Sequence, residues 1–203
     1  MSLVLWSGGC DSTLVLWDLL QDQSPKSPAI NTIAINYPQI MGAEMAKAKR
    51  KAILNELRGR GFRINHGEVI VAHDGATGIQ NSYGLPQAAL WVSLSPLYLG
   101  EKEDLYAGYV RGDDACHHKE ALKGVFGWQQ NLLGKTGNLL WPLEWTHKSE
   151  VIARLKAAKL LNLVWWCEQM TKDGSNCGKC SSCITHALAL KRLVMETKKK
   201  ASA

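Results

Sequence analysis

The feature that most constrains the fold is a glycine-containing turn between an apolar run and an amphipathic helix. Residues 7–13 read Ser-Gly-Gly-Cys-Asp-Ser-Thr, the apolar residues 3–6 precede them, and apolar residues follow at helical spacing. Two adjacent glycines let the backbone turn sharply and bring its N–H groups against an anion without a Cβ in the way. Because a helix start adds unpaired amides and a positive dipole end, this order of elements predicts an anion-binding loop.

The side chains of this turn indicate a phosphate with a divalent cation. Its hydroxyl groups can donate to phosphate oxygens, whereas the Asp11 carboxylate repels phosphate unless a cation such as Mg²⁺ bridges the two. The Gly-Lys-Ser/Thr ending of a Walker A loop is absent. The alternative is a plain strand-to-helix turn in which Asp11 or Ser12 only caps the helix. The candidate phosphate-binding residues are Ser7, Gly8, Gly9, Cys10, Asp11, Ser12 and Thr13.

The rest of the chain alternates strand-like and helix-like segments, which predicts an α/β fold with a doubly wound, mainly parallel sheet. We expect an α/β domain over residues 1–160 and a cysteine-containing helical segment over 161–203, together forming one compact unit. Residues 111–118 read as a polar loop, and Thr146 as a helix cap. Further strands are predicted at 32–37, 64–71, 104–110 and 139–142. Helices are predicted at 43–58, at 87–100 with a break or a start near Pro96, and at 119–132, 146–159 and 184–198.

Composition narrows the partners and the compartment. The net charge of +6 favours anionic partners such as nucleotides, polyphosphate or RNA. No basic region precedes the first apolar run, and no apolar stretch approaches the roughly 20 residues of a membrane span. We therefore expect a cytoplasmic protein without a membrane partner, in which cysteines stay reduced.

Four of the six cysteines form a metal-binding pattern. Cys177, Cys180 and Cys183 are separated by two residues each, and Cys167 lies ten positions upstream. Four thiolates make a closed tetrahedral site suited to a structural Zn²⁺, with no open position for water. An iron–sulfur cluster and four unligated thiols are the alternatives. Cys116 lies outside the pattern.

The loop string resembles the SGGxDS signature of the PP-loop ATP pyrophosphatases. In that family the loop binds the pyrophosphate part of ATP, and AMP is transferred to an oxygen of the substrate. The resemblance therefore implies adenylation of a carboxylate, amide or urea-type oxygen, followed by displacement of AMP.

Together with the cysteines, the loop resembles the 7-cyano-7-deazaguanine synthase family. The family pattern C-x-n-C-G-x-C-x-x-C matches the four cysteines, residues 141–152 are similar to A-P-L-x-x-x-x-K-x-E-I-I, and residues 36–39 resemble D-Y-G-Q. The resemblance implies ATP, Mg²⁺ and ammonia converting a 7-carboxy-7-deazaguanine to the nitrile through the amide, a structural zinc and a homodimer. By the same resemblance, Asp11 and Ser12 are catalytic, and Lys148 neutralises charge on the phosphates or the adenylated oxygen.

Two segments depart from the family pattern. Residues 86–89 read Pro-Gln-Ala-Ala where the family has P-G-R-N, and the shorter segment 111–118 replaces D-x-S-G-Y-P-D-C-R. In that segment Asp113 or Asp114 is expected to read a guanine-like N–H edge, and Cys116 and His117 to stand in for Cys-Arg. His186 replaces the usual arginine after the last cysteine. These changes bear on the acceptor more than on adenylation.

Two other functions stay open at this level. One keeps adenylation but changes the acceptor: it stops at the amide, joins a deazaguanine to another amine, or modifies a tRNA base as the thiolating PP-loop enzymes do. Thiolation requires a catalytic cysteine, for which Cys10 and Cys116 are the spare candidates. The other is a non-catalytic nucleotide- or RNA-binding module with contacts from Lys172 and Lys179. Nucleic acid is not the expected direct substrate.

Overall fold

The computed structural model describes residues 2–36, 42–71 and 87–201. Within these ranges the strands are β1 (Ser2–Leu5), β2 (Ile30–Asn36), β3 (Ile64–Ile70), β4 (Asp104–Ala107) and β5 (Leu139–Leu140). The helices are α1 (Cys10–Gln21), α2 (Ala43–Gly59), α3 (Gln87–Leu94), α4 (Asp114–His117), α5 (Lys119–Leu132), α6 (Lys148–Ala157) and α7 (Ser181–Ala201). A 3-10 turn, Ser95–Tyr98, follows α3.

The sheet is parallel throughout and doubly wound, as the sequence predicts. Its strand order is β3-β2-β1-β4-β5, so β1 lies in the centre and the chain changes winding direction between β1 and β4. In sheets of this kind, ligands bind beyond the carboxyl ends of the strands at that point. The loop after β1 occupies this position.

Side-chain alternation along β1 divides the core into two layers. Val4 packs with α1, α2 and α6 on one face, whereas Leu3 and Leu5 pack with α3 and α5 on the other. Both faces of the sheet are therefore covered by helices, which is the arrangement that a parallel sheet requires.

Several element boundaries differ from the sequence expectation. Thr146 is not a helix cap: α6 begins at Lys148 with His147 as its N-cap, because Thr146 lies in a turn whose carbonyl accepts from the Arg111 amide. The polar segment 111–118 contains the short helix α4. Helix α7 begins within the cysteine segment, where the Ile184 amide donates to the Cys180 carbonyl.

Some sequence predictions lie outside the described residues. They concern residues 37–39 of the segment 36–39 and Pro86 of the segment 86–89. The expected helix over 87–100 is divided, since Pro96 lacks the amide that would continue α3. Among the described helices, none is long and apolar enough to cross a membrane.

Candidate functional site

The turn between β1 and α1 leaves backbone amides at the start of the helix without side-chain caps from the loop. The N-cap residue of α1 is Gly9, and neither Asp11 nor Ser12 makes a side-chain capping bond. Thr13 is the first amide of the helix to find a backbone carbonyl, that of Gly9 at 3.1 Å. Within the described ranges, the amides of Asp11 and Ser12 have no such partner. The helix start is therefore equipped for an anion.

Two serines shape the loop from within. The Ser12 hydroxyl accepts from the Ser7 amide at 3.2 Å and lies 3.0 Å from the Ser7 hydroxyl. The Ser7 hydroxyl in turn accepts from the Gly9 amide at 3.2 Å. These bonds hold the loop in a tight curl, and Gly8 completes it with a φ of +84°.

Arg50 supports the loop from the sheet side, a role that the sequence does not predict. Its side chain is 3% exposed; Nη1 donates to the Ser7 carbonyl at 3.1 Å, and Nη2 donates to Asn36 Oδ1 at 2.5 Å. The same guanidinium bonds Glu68 Oε1 through Nε at 3.3 Å and Nη2 at 3.1 Å. Arg50 lies on the same stripe of α2 as Ile53 and Leu57, and this helical spacing is the sequence signal that indicates its burial.

Asp11 and Lys148 form an ion pair at the mouth of the loop. The Lys148 ammonium donates to Asp11 Oδ2, whereas Asp11 Oδ1 is buried and has no partner among the described residues. Burial alone would lower the pKa of Lys148, but Asp11, together with Cys10 and Asp113, outweighs it and the pKa is raised. A carboxylate oxygen without a partner beside a phosphate-binding helix start suits a hard cation such as Mg²⁺.

A cleft of about 1560 Å³ opens at the carboxyl ends of β1, β2 and β4, and it joins the loop to the segment 111–118. Asp113, Asp114 and His117 line this cleft together with Asp11 and Lys148. The cleft therefore brings the predicted phosphate-binding and acceptor-binding residues together.

Within segment 111–118, Asp113 and Cys116 bond to the backbone of the segment. Asp113 Oδ2 accepts from the Val110 amide at 2.9 Å, and burial raises the pKa of Asp113. Cys116 is not among the lining residues, and its thiol donates to the Val110 carbonyl at 3.2 Å. A substrate contact through Cys116 stays a prediction that this geometry does not favour.

Two predicted loop ligands face the interior instead. Thr13 is fully buried, and its hydroxyl accepts from the Trp6 indole N–H at 3.0 Å. Cys10 is 1% exposed, its sulfur lies 3.9 Å from His186 Nδ1, and burial raises its pKa to about 12. A thiol in this state packs rather than attacks, and phosphate contacts by these two side chains remain predictions.

The four cysteine sulfurs form a compact cluster. Cys167, Cys177, Cys180 and Cys183 lie with their sulfur atoms within 4.8 Å of one another. The Cys177 amide donates to the Cys167 sulfur at 3.2 Å, and the Cys180 amide donates to the Cys177 sulfur at 3.3 Å. A tetrahedral ion with Zn–S bonds of about 2.3 Å sets its ligand sulfurs about 3.8 Å apart. A four-iron cluster separates its ligand sulfurs more widely, so this spacing fits a single ion.

Comparisons with known proteins establish the fold. No protein-family model matches the chain, and no curated protein matches it. Among solved structures it is similar to the U34-tRNA thiolase NcsA from Methanococcus maripaludis with its [4Fe-4S] cluster, at 16% identity and a TM-score of 0.50. The match covers 93% of this chain and 63% of that chain, so this chain spans less than two thirds of the thiolase. The expected α/β fold with a doubly wound, mainly parallel sheet is confirmed.

Proposed function

We propose that the protein is an AMP-forming enzyme that uses ATP to adenylate a substrate oxygen. The observation that carries this proposal is the pairing of free helix amides with Asp11, whose Oδ1 atom has no partner among the described residues, beside the Lys148 ammonium. In this proposal the residues of the loop hold the pyrophosphate part of ATP, Asp11 holds Mg²⁺, and Lys148 neutralises charge that develops on the phosphates.

The site also fits transfer of AMP better than transfer of the γ-phosphate. A Walker A loop carries its lysine within the loop, whereas here the lysine comes from α6, 137 residues after Asp11. The resemblance to PP-loop ATP pyrophosphatases assigns the loop to the leaving pyrophosphate, which places the α-phosphorus towards the rest of the cleft. The acceptor then binds on the side of segment 111–118.

For the acceptor we propose a 7-carboxy-7-deazaguanine, with ammonia as the nucleophile and 7-cyano-7-deazaguanine as the product. Asp113 and Asp114 line the cleft and carry the acceptor oxygens that the N–H edge of a guanine-like ring requires. His117 lies in the same wall. The proposal rests on these side chains together with the resemblance of residues 141–152 and of the cysteine pattern.

The chemistry proceeds in two rounds. The carboxylate oxygen attacks the α-phosphorus of ATP and pyrophosphate leaves; ammonia then attacks the acyl carbon, and AMP leaves with formation of the amide. In the second round the amide oxygen attacks a second ATP, pyrophosphate leaves, and loss of AMP and protons from nitrogen gives the nitrile. Adenylation is needed because the oxygen of a carboxylate or amide is otherwise a poor leaving group.

A second candidate keeps the adenylation and changes the acceptor to a tRNA base. It is favoured by the fold shared with a U34-tRNA thiolase and by the net charge of +6. The two cysteines outside the cluster do not support sulfur transfer, since Cys10 is buried and the Cys116 thiol is bonded to the backbone. We therefore place it second.

One experiment separates these functions. The protein is incubated with ATP, Mg²⁺ and ammonia plus 7-carboxy-7-deazaguanine, or with ATP, Mg²⁺ and sulfide plus U34-containing tRNA, and the products are resolved by mass spectrometry. AMP with the nitrile supports the proposed reaction. AMP with the amide alone or with thiolated tRNA moves the assignment to a changed acceptor. The absence of AMP with every acceptor would overturn adenylation and leave a binding module.

A further inference from the structure

Two consecutive tryptophans connect the phosphate loop to the cysteine cluster. The Trp165 amide donates to the Gly8 carbonyl at 3.1 Å. A Cβ atom placed on Gly9 would lie 3.4 Å from the Trp165 carbonyl oxygen, so the two backbones are in contact there as well. Cys167, the first cysteine of the cluster, follows two residues later. We call the segment 165–167 the first arm of the cluster, and this arm is therefore hydrogen-bonded to the loop.

The second arm of the cluster, which runs from Cys180 to His186, reaches the same loop through His186. This residue lies three positions after Cys183 on α7 and is 4% exposed. Its ring stacks on Trp166 with centroids 3.8 Å apart and planes 6° apart, and its Nδ1 lies 3.9 Å from the Cys10 sulfur. The imidazole of the second arm thus packs on Trp166 of the first arm and contacts Cys10, the first residue of α1.

A metal ion bound by the four cysteines would fix these arms relative to each other. Cys167 belongs to the arm of Trp165 and Trp166, whereas Cys180 and Cys183 belong to the arm of His186. Four metal–sulfur bonds hold the arms at one separation, and that separation closes the Trp166–His186 stack. The Gly8 contact comes from Trp165, the neighbour of Trp166, and the Cys10 contact comes from His186 itself.

We propose that Trp165, Trp166 and His186 are positioning residues through which occupancy of the four-cysteine site sets the affinity of the phosphate loop for a triphosphate. The identity of that ligand rests on the proposed function. The effect on the order of the loop does not, since it is argued from contacts within the protein alone. Loss of the metal is then expected to loosen the Gly8 and Cys10 contacts while the sheet and α1 remain folded.

The test compares Trp166→Ala with Trp166→Phe, which keeps a flat ring against His186. Trp145→Ala, at a tryptophan 78% exposed, is the control for loss of an indole. Metal content is measured by mass spectrometry, order of the loop by hydrogen–deuterium exchange of residues 7–13 without nucleotide, and the Kd for ATP with Mg²⁺ by calorimetry. Trp166→Ala should retain its metal, exchange faster in the loop and bind ATP about tenfold more weakly. Trp166→Phe and Trp145→Ala should resemble the parent protein.

A second part of the experiment removes the metal itself. Chelation of the parent protein should accelerate exchange of residues 7–13, and added Zn²⁺ should restore it, with far-UV circular dichroism retained. If Trp166→Ala fails to fold, His186→Ala takes its place. It removes the ring of the stack that α7 carries, and it should give the result expected for Trp166→Ala. Unchanged loop exchange in a folded, metal-loaded variant or after chelation would overturn the proposal. Faster loop exchange in a protein that never binds ATP would support the link between the cluster and the loop, and it would overturn the proposed function together with the effect on triphosphate affinity.

Discussion

The guanidinium of Arg50 donates to the main-chain carbonyl of Ser7 at 3.1 Å while it also bonds Glu68 and Asn36. The phosphate loop is thereby tied to both β2 and β3, the strands that carry those two partners. The bond occupies the Ser7 carbonyl from the sheet side. Arg50 therefore acts on the nucleotide by shaping the loop, since nearly all of its donors are already engaged by protein.

Replacement of Arg50 by methionine tests this support. The change keeps the aliphatic stem beside Gly8 but removes the Arg50 donors from Asn36 and the Ser7 carbonyl, and leaves the Glu68 carboxylate only its 3.5 Å contact with His66 Nε2. Because Glu68 is 26% exposed, we expect the free energy of unfolding to fall by about 3 kcal/mol, at the low end for a broken buried pair. Urea unfolding measures it, with the exposed Lys47→Met as control. Equal stability of the two variants would show that the network contributes little.

Gly108 is a second position at which we expect a substitution to lower stability. A Cβ atom there would lie 2.6 Å from the Ser12 amide nitrogen and 2.7 Å from its Cα, so alanine must push β4 away from α1. We expect Gly108→Ala to cost about 3 kcal/mol of folding free energy by overpacking. Gly124→Ala in α5 is the matched control: its Cβ would meet no atom within 4 Å, and it should stabilise the helix by about 1 kcal/mol. Thermal melts of both variants decide the point, and a Gly108→Ala melt as high as that of Gly124→Ala would contradict it.

The sequence predicts the parts of this structure that depend on neighbouring residues. Apolar periodicity gives the alternation of strands and helices, and α5 has the expected bounds of 119–132 because its apolar stripe is continuous. β4 ends at Ala107 rather than at Val110, since the close approach of Gly108 to α1 ends the strand pairing. The order of strands in the sheet follows from packing and cannot be read from local pattern.

Contacts across long stretches of chain account for what the sequence could not show. Asp11 and Lys148 are 137 residues apart, and only a family resemblance brought them to one site before the structure did. The burial of Arg50 had only its place on the apolar stripe of α2 as a signal, since charge argues for the surface. The stack of Trp166 on His186 had no signal, because an aromatic residue fits any core. Such residues become visible once the elements are packed.

The Asp11–Lys148 pair predicts that substitution of either residue lowers AMP release. Asp11→Ala should abolish AMP release because the cation loses its carboxylate, and Lys148→Met should lower it about a hundredfold or more. The raised pKa of Lys148 keeps the ammonium charged, so this loss should be constant from about pH 6 to 9. Lys156→Met, exposed on the same helix, is the control. AMP release that survives in Asp11→Ala would refute a metal-bridging role.

The cysteine cluster predicts one metal ion per chain. The sulfur spacing fits a single tetrahedral ion, so metal analysis should find one zinc and no matching iron or sulfide. Cys180→Ser should lose the metal and lower the melting temperature by about 10 °C or more, because metal binding contributes folding free energy. Cys116→Ser removes a thiol outside the cluster and should keep both metal and melting temperature. Visible absorption with several irons per chain would instead identify an iron–sulfur cluster.

His186 predicts a loss of stability in mild acid. Burial lowers its pKa to about 4, below the value of about 6.5 in an unfolded chain, so the unfolded state binds more protons between these limits. The stability contributed by the neutral ring is therefore complete above pH 6.5 and declines as pH falls towards 4. From pH 7.5 to 5 the expected loss is about 2 kcal/mol.

The measurement compares urea unfolding of the parent protein and of His186→Gln at these two pH values. Glutamine has no proton to gain, whereas the carboxylates and the four cysteines titrate alike in both proteins, so their contributions cancel in the difference. The stability difference between parent and variant should therefore shift by about 2 kcal/mol against the parent at pH 5. Parallel pH profiles would mean that the imidazole is already solvated in the fold, and the stack on Trp166 would then be too loose to hold the Cys10 end of the loop.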